Sequence, residues 1–222
     1  QYVVVPEENL WPVHDAIPDQ VAAIFDPLGN AMHTVMSAGV SGRSVLITGV
    51  GTIGLMAVMV ARAAGAQTIL VSDPFEHRLA LARKFGADHG FIAGDPNLLD
   101  EVRRLTRGEG AEVLLEMSGN PRAIRQGLAA LQNGGTAALL GLPAEDISLN
   151  LPNDVIFKGL TVLGINGRRM FETWYQVESV LLSRQVDPRP IITHEIDMAE
   201  FDRGIKLMQA GEAIKVVMRI PQ

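Results

Sequence analysis

Three glycines between a short apolar run and a long apolar stretch form the pattern with the clearest chemistry. The apolar run at 44–48 predicts a buried strand, and 55–64 predicts a helix. In Gly-x-Gly-x-x-Gly at such a junction, the first glycine permits the sharp turn and the second leaves room for a pyrophosphate. The third lets the helix pack closely on the strand. We therefore predict a dinucleotide site at the helix N-terminus. The residues of this turn that we expect to bind the dinucleotide are Gly49, Gly51, Thr52 and Gly54.

An aspartate at the end of the next apolar strand indicates which dinucleotide is bound. Asp73 lies 22 residues after Gly51 (73 − 51 = 22), close to the roughly 20-residue spacing that places an acid against the ribose hydroxyls. A 2′-phosphate would bring a dianion beside this carboxylate, so NAD is favoured over NADP, although Arg78 could soften the repulsion or cover the adenine face. Asp73 could also cap a helix that begins at Pro74, and both roles can hold together.

Two further acids have a functional and a structural interpretation. Asp26 is surrounded by apolar residues, and a desolvated acid at a domain cleft is a functional candidate. It could equally be the N-cap of a helix that Pro27 begins. Glu116 ends the fourth predicted strand, where acids line clefts but also cap loops.

Composition restricts the classes of protein that need to be considered. The 222 residues are 47% hydrophobic and 20% charged, which predicts one substantial packed core and a partial second unit. The apolar stretches are too short to span a membrane. The net charge of −6 and the absence of a basic cluster disfavour nucleic acid as a partner. Without cysteine there is no disulfide or thiolate-bound zinc, and the cytoplasm is the default expected location.

Alternation of short apolar runs with helical runs predicts a parallel sheet covered on both faces. Six strands are expected, and this number is typical of a doubly wound α/β (Rossmann) fold. The predicted strands are 44–48, 68–72, 88–92, 112–117, 136–140 and 160–165. The predicted helices after the first are 76–85, 98–106, 122–131 and 171–182.

The two ends of the chain depart from this pattern. Strands are predicted at 2–6, 9–12, 191–196 and 215–220, and a capping-box pattern predicts a helix from 197 to 208. These segments resemble parts of another domain. The expected organisation is a remnant of a second domain at 1–25, a dinucleotide-binding domain at 26–168, and a bridging helix with a C-terminal return at 169–222.

Glycine turns also occur in flavin enzymes, methyltransferases and P-loop proteins. A flavin site is disfavoured because its motif usually opens a chain, a methyltransferase is not excluded, and the lysine of a P-loop is missing. No nucleophile elbow supports a serine hydrolase. The five histidines have no second ligand at helical or loop spacing, so we expect no metal site.

The motifs as a set resemble the L-threonine 3-dehydrogenase family, which belongs to the zinc-dependent medium-chain dehydrogenases. The segments Phe-Glu-Thr-Trp-Tyr at 171–175 and Ile-Ile-Thr-His at 191–194 are the most specific to that family. Matching segments also lie at 25–34, 49–54, 115–119, 155–160, 164–168 and 170–175. The resemblance implies oxidation of the 3-hydroxyl of L-threonine to 2-amino-3-ketobutyrate by hydride transfer to NAD. It also implies a second domain of GroES-like fold.

The resemblance assigns roles to individual residues. Asp26 matches an acidic position near the catalytic metal, associated with metal coordination or proton relay. The implied NAD contacts beyond the glycine turn are Ile53, Asp73, Arg78, Leu140, Gly141, Leu142, Ile165 and Asn166. The family's cysteine and His-Glu zinc ligands lie in an N-terminal region that this sequence does not contain, so zinc is expected only in the complete enzyme. We expect this chain alone to be inactive.

Alternatives remain within and outside the enzyme class. A polyol dehydrogenase resembling sorbitol dehydrogenase would have a similar cofactor half, and a naturally short NAD-binding module would need no catalysis. The family's members are typically homo-dimers or homo-tetramers joined through their cofactor domains. The apolar run at 160–165 predicts such self-association at the edge of the sheet, unless the helix at 171–182 covers it.

Overall fold

The computed structural model describes residues 3–220, and its centre is a six-stranded parallel sheet with the order β3-β2-β1-β4-β5-β6. Val45 pairs with Ile69 on one side and with Val113 on the other, so the first strand is central. The doubly wound fold prediction is confirmed. The strands are β1 Ser44–Thr48, β2 Thr68–Asp73, β3 His89–Ile92, β4 Ala111–Glu116, β5 Leu131–Leu139 and β6 Thr161–Gly164.

Helices cover both faces of this sheet because successive strand side chains point to opposite sides. Val45 and Ile47 contribute to the larger core, whereas Leu46 contributes to the smaller one. Helices α2 to α4 and α7 supply the larger core, and α5 and α6 supply the smaller core. The helices are α1 Asp19–Ala22, α2 Phe25–Ala38, α3 Thr52–Ala63, α4 Glu76–Lys84, α5 Leu98–Leu105, α6 Pro121–Ala130, α7 Glu172–Leu182 and α8 Phe201–Gln209.

The C-terminal segment forms a second, two-stranded sheet. Strands β7 (Ile192–Asp197) and β8 (Lys215–Arg219) pair in parallel, and α8 connects them. The predicted capping box is present, because Asp197 and Glu200 cap each other reciprocally. A 3-10 turn at Met198–Glu200 precedes the α-helix.

The strands predicted near the N-terminus are wrong over the residues that the structure describes. Residues 3–6 and 10–12 have no regular secondary structure, and Glu7–Asn9 is a 3-10 helix; Tyr2 lies outside the described residues. A strand needs a partner to satisfy its backbone, and the prolines at 6 and 12 lack the donor for a ladder. Trp11 instead packs on Phe171 at a ring separation of 5.6 Å.

The helices of the described chain are short. The longest, α2, has 14 residues, and between residues 3 and 220 no helix combines the length and the apolarity needed to cross a bilayer.

Candidate functional site

A cavity of about 500 Å³ lies at the carboxyl ends of the central strands. The chain runs outward in opposite directions from β1 and β4, so this is the switch point where open α/β sheets bind ligands. The cavity is lined by Gly49, Gly51, Ser72, Asp73, Pro74, Arg78, Ala93, Gly94, Met117, Ser118, Asn120, Arg122, Ala123 and Gln126.

The three glycines of the turn have different surroundings. Gly49 has a φ of 84°, and a Cβ there would lie 2.7 Å from the Ser118 Cβ. A Cβ on Gly54 would lie 2.0 Å from the Gly49 carbonyl oxygen. By contrast, a Cβ on Gly51 would meet no heavy atom of the described residues within 4 Å. The turn therefore leaves open space at its second glycine, where a pyrophosphate would approach.

Helix α3 begins directly after this space. Its N-cap, Gly51, offers no side-chain acceptor to the first amides of the helix, and such amides form an anion site. The Thr52 hydroxyl is engaged elsewhere, because it donates to the Ile214 carbonyl oxygen at 2.6 Å. Ile53 is half-buried and packs against the larger core. The turn can thus contact an anion through its backbone.

Asp73 is only 2% exposed and is held by the loops on both sides of it. Its Oδ2 accepts a hydrogen bond from the Val50 amide at 2.9 Å, and its Oδ1 accepts one from the Phe75 amide at 3.0 Å. The alternative that Asp73 caps a helix starting at Pro74 is wrong, because α4 begins at Glu76 with Phe75 as its N-cap. Asp73 instead closes a turn after β2 and lines the cavity.

Arg78 adds a positive charge to the same wall. Its guanidinium lies 4.8 Å from the centre of the Phe75 ring, and its Nη1 is 3.8 Å from the Asp73 Oδ2. The Arg78 Nε is buried and has no hydrogen-bond partner within residues 3–220. Because a buried donor without an acceptor costs free energy, this atom is suited to an acceptor on a ligand.

The other predicted cofactor contacts lie at the same edge of the sheet but outside this cavity. Leu140 and Gly141 follow β5, and Ile165 and Asn166 follow β6. Leu142 is 90% exposed, and it lines a neighbouring cavity of about 330 Å³ that shares Ser118 and Asn120 with the first. The described chain therefore brings Gly49, Gly51, Asp73 and Arg78 together and leaves the second group farther along the edge.

The structure contradicts both structural expectations for Asp26, the desolvated acid and the N-cap. Its side chain is 57% exposed and pairs with the Arg168 guanidinium, so it is not desolvated. It is not an N-cap either, because α2 begins at Phe25 after the N-cap Ile24. The Arg168 guanidinium also lies 5.1 Å from the centre of the Trp174 ring. Sequence analysis gave no reason to single out Arg168.

Several cavity residues were also missed by sequence analysis. Asn120 accepts hydrogen bonds from the amides of Arg122 and Ala123, and it thereby caps α6 and brings Arg122 to the cavity wall. The sequence predicted a helix from 122 to 131, but only the strand order places the start of this helix beside the glycine turn.

The acids and histidines of the described chain are dispersed. Within residues 3–220, no group of three or more His, Cys, Asp or Glu side chains is placed to hold a metal ion.

Sequence comparison identifies relatives over nearly the whole chain. The family model described as zinc-binding dehydrogenase matches residues 52–183, more than half of the chain. L-threonine 3-dehydrogenase from Symbiobacterium thermophilum is 46% identical over 98% of this chain and 62% of its own length. The enzyme of that name from Bacillus velezensis is 47% identical over 98% and 63%, respectively. The chain thus spans about three fifths of the length of these curated relatives.

Comparison with solved structures agrees with the sequence relatives. An alcohol dehydrogenase from Thermus sp. ATN1 superposes with a TM-score of 0.86 at 28% identity, covering 93% of this chain and 61% of that chain. The fold, the glycine turn and the family model all agree, and the chain belongs to the zinc-binding dehydrogenase family.

Proposed function

We propose that this chain is the NAD-binding portion of an L-threonine 3-dehydrogenase. The observation that carries the proposal is the cavity at the switch point of the sheet, which joins the open second glycine of the turn to the carboxylate of Asp73. Asp73 would accept hydrogen bonds from the adenosine ribose and repel the 2′-phosphate of NADP. Arg78 would cover the adenine or offer its free Nε to the ligand.

The remaining contacts are those that the resemblance to the L-threonine 3-dehydrogenase family implies. The backbone at Gly51 and Ile53 would bind the pyrophosphate at the N-terminus of α3. The nicotinamide would lie beside residues 140–142 and Ile165-Asn166, at the ends of the next two strands. When bound there, NAD supplies the acceptor for a hydride.

Threonine as substrate is supported by the names of the relatives and by the segments at 171–175 and 191–194. In this proposal Asp26 serves the proton relay or the metal of the complete enzyme, and the Arg168 guanidinium holds its carboxylate in place. The described residues do not by themselves compose a metal site.

We further propose that the protein is a homo-dimer or homo-tetramer that associates through β6. Among the described strands β6 pairs only with β5, and the side chain of Val162 is 43% exposed. An outer strand with free backbone groups and exposed apolar side chains is a surface that a second copy can extend.

The experiment is a substrate comparison on the longest natural polypeptide that contains this chain. NADH formation is followed by absorbance with L-threonine, sorbitol and 2,3-butanediol as substrates. The proposal expects the highest kcat/KM for L-threonine with NAD. A higher kcat/KM for either polyol would replace it with the polyol dehydrogenase alternative, and no turnover of any alcohol would favour a non-catalytic NAD-binding module.

A further inference from the structure

Glu116, the last residue of β4, is fully buried and accepts hydrogen bonds from four donors. Its Oε1 accepts from the Ser118 amide at 3.0 Å, from the Ser118 hydroxyl, and from the Thr48 hydroxyl at 3.3 Å. Its Oε2 accepts from the Gly119 amide at 3.1 Å. The carboxylate thus binds the end of β1 and the loop after β4 at the same time.

Over the described residues this carboxylate has no cationic partner. No Lys, Arg or His between residues 3 and 220 forms an ion pair with Glu116. Burial of a carboxylate costs free energy unless hydrogen bonds compensate for the lost water. Its four neutral donors must therefore stay in place for the charge to be tolerated.

The backbone around Glu116 extends this link to the segment after β5. The Glu116 carbonyl oxygen accepts hydrogen bonds from the amides of Leu140 and Gly141, both at 3.0 Å. A Cβ on Gly141 would lie 2.6 Å from the Glu116 Oε2 and 2.1 Å from the Gly119 nitrogen. Only a glycine permits this approach, so the two loops are in direct contact around the carboxylate.

The glycine turn is also in close contact with the loop after β4. A Cβ on Gly49 would lie 2.9 Å from the Ser118 nitrogen, the same amide that donates to Glu116. Ser118 also lines the dinucleotide cavity. A displacement of this loop would therefore shift the cavity wall and the turn together.

We propose that Glu116 is a positioning residue that couples the two ends of the dinucleotide site. Its carboxylate holds the glycine turn and the loop after β4 against the segment at 140–142, where the nicotinamide is expected. The proposal rests on the NAD binding proposed above. Glu116 itself lies outside the cavity lining, so it acts through Ser118, Gly119 and Gly141 and not by contact with the cofactor.

The test compares Glu116→Gln with a matched variant on the same strand, by calorimetric titration with NAD. The side-chain amide that this substitution introduces would carry two hydrogens, so at least one amide of the loop would lose its acceptor. We expect the Kd for NAD to rise about tenfold or more. Glu112→Gln is the control, because Glu112 accepts from the Ser44 amide and hydroxyl at the opposite end of β4. Its Kd should stay within about twofold of the wild-type value.

A second ligand separates positioning from a general structural role. AMP occupies only the adenosine end, so its Kd, measured by competition, should rise less in Glu116→Gln than the Kd for NAD. A merely structural role would lower the melting temperature and leave both Kd values unchanged. Unchanged NAD affinity in the folded variant, or equal weakening of NAD and AMP, would overturn the proposal.

Two outcomes keep this inference distinct from the proposed function. A wild-type chain that does not bind NAD overturns both, whereas a wild-type chain that binds NAD, with Glu116→Gln binding equally well, overturns only the role of Glu116. If Glu116→Gln does not fold, Thr48→Val decides, because it removes one buried donor outside the cavity. A rise in the Kd for NAD of about threefold supports the proposal, and an unchanged Kd overturns it.

Discussion

Replacing Gly51 with alanine should weaken NAD binding while leaving the fold intact. The φ of Gly51 is −70°, which alanine adopts without strain, and its Cβ would meet no described heavy atom within 4 Å. Under these conditions Gly→Ala stabilises a protein by about 0.4–1 kcal/mol, by restricting the unfolded chain. At about 2–4 °C per kcal/mol for a chain of this size, the melting temperature should rise by at most about 4 °C.

The new methyl group should nevertheless occupy the space that the pyrophosphate needs. Losing one charge-assisted hydrogen bond to the backbone costs about 1.5–3 kcal/mol. We therefore expect the Kd for NAD to rise by about ten- to a hundredfold.

Gly54→Ala in the same turn provides the matched control. Its Cβ would lie 2.0 Å from the Gly49 carbonyl oxygen, a backbone atom that cannot move aside without opening the turn. Overpacking of this kind costs about 3 kcal/mol, at the upper end of the usual range. The expected fall in melting temperature is about 6–12 °C.

Differential scanning calorimetry and isothermal titration of the two variants measure both effects. Wild-type NAD affinity in Gly51→Ala would show that no pyrophosphate lies at this turn. A melting temperature that is unchanged in Gly54→Ala would refute the close packing of α3 on the turn.

The other predictions concern cofactor choice, assembly and pH. Asp73→Asn should reduce the difference in binding free energy between NAD and NADP by roughly 1.5–3 kcal/mol. An unchanged difference in titrations would count against the ribose contact. Val162→Lys should convert an assembled chain to monomers in sedimentation at tens of micromolar; a wild-type monomer would contradict the β6 interface. The hydrogen bond from Arg189 lowers the pKa of Asp187 from 3.8, so this pair stabilises the fold above that pH and the contribution is lost as the pH falls through the lowered pKa. Asp187→Asn should accordingly cost less than about 1 kcal/mol in chemical unfolding at pH 7, and the cost should shrink as the pH falls through the lowered pKa of Asp187; a cost that does not change with pH would contradict this assignment.

The central strands were predictable because their signal is local. Strand β1 has the predicted bounds, since a strand buried on both faces is a continuous apolar run. Strand β5 begins at Leu131, five residues before its predicted start at 136 (136 − 131 = 5). Gly134 and Gly135 interrupt the apolar run there, but Ala111 of the neighbouring strand pairs with Leu131 across a register shift. That pairing is a tertiary contact and leaves no local pattern.

In the site too, residues placed by nearby sequence were predictable, whereas residues placed by contacts between distant segments were not. The spacing from Gly51 placed Asp73 at the cavity, because both residues belong to one strand–helix–strand unit. Arg122 comes from a helix beyond β4, so its place on the cavity wall depends on strand order. The pairing of Asp26 with Arg168 likewise joins residues far apart in sequence, and apolar neighbours alone wrongly suggested a buried acid.

Calorimetric titration of the wild-type chain with NAD and with NADP tests the central claim most directly. The arrangement of the glycine turn, Asp73 and Arg78 predicts one NAD bound per chain, with weaker binding of NADP. Absence of NAD binding, or NADP binding that is equal or tighter, would contradict the assignment of this cavity as an NAD site.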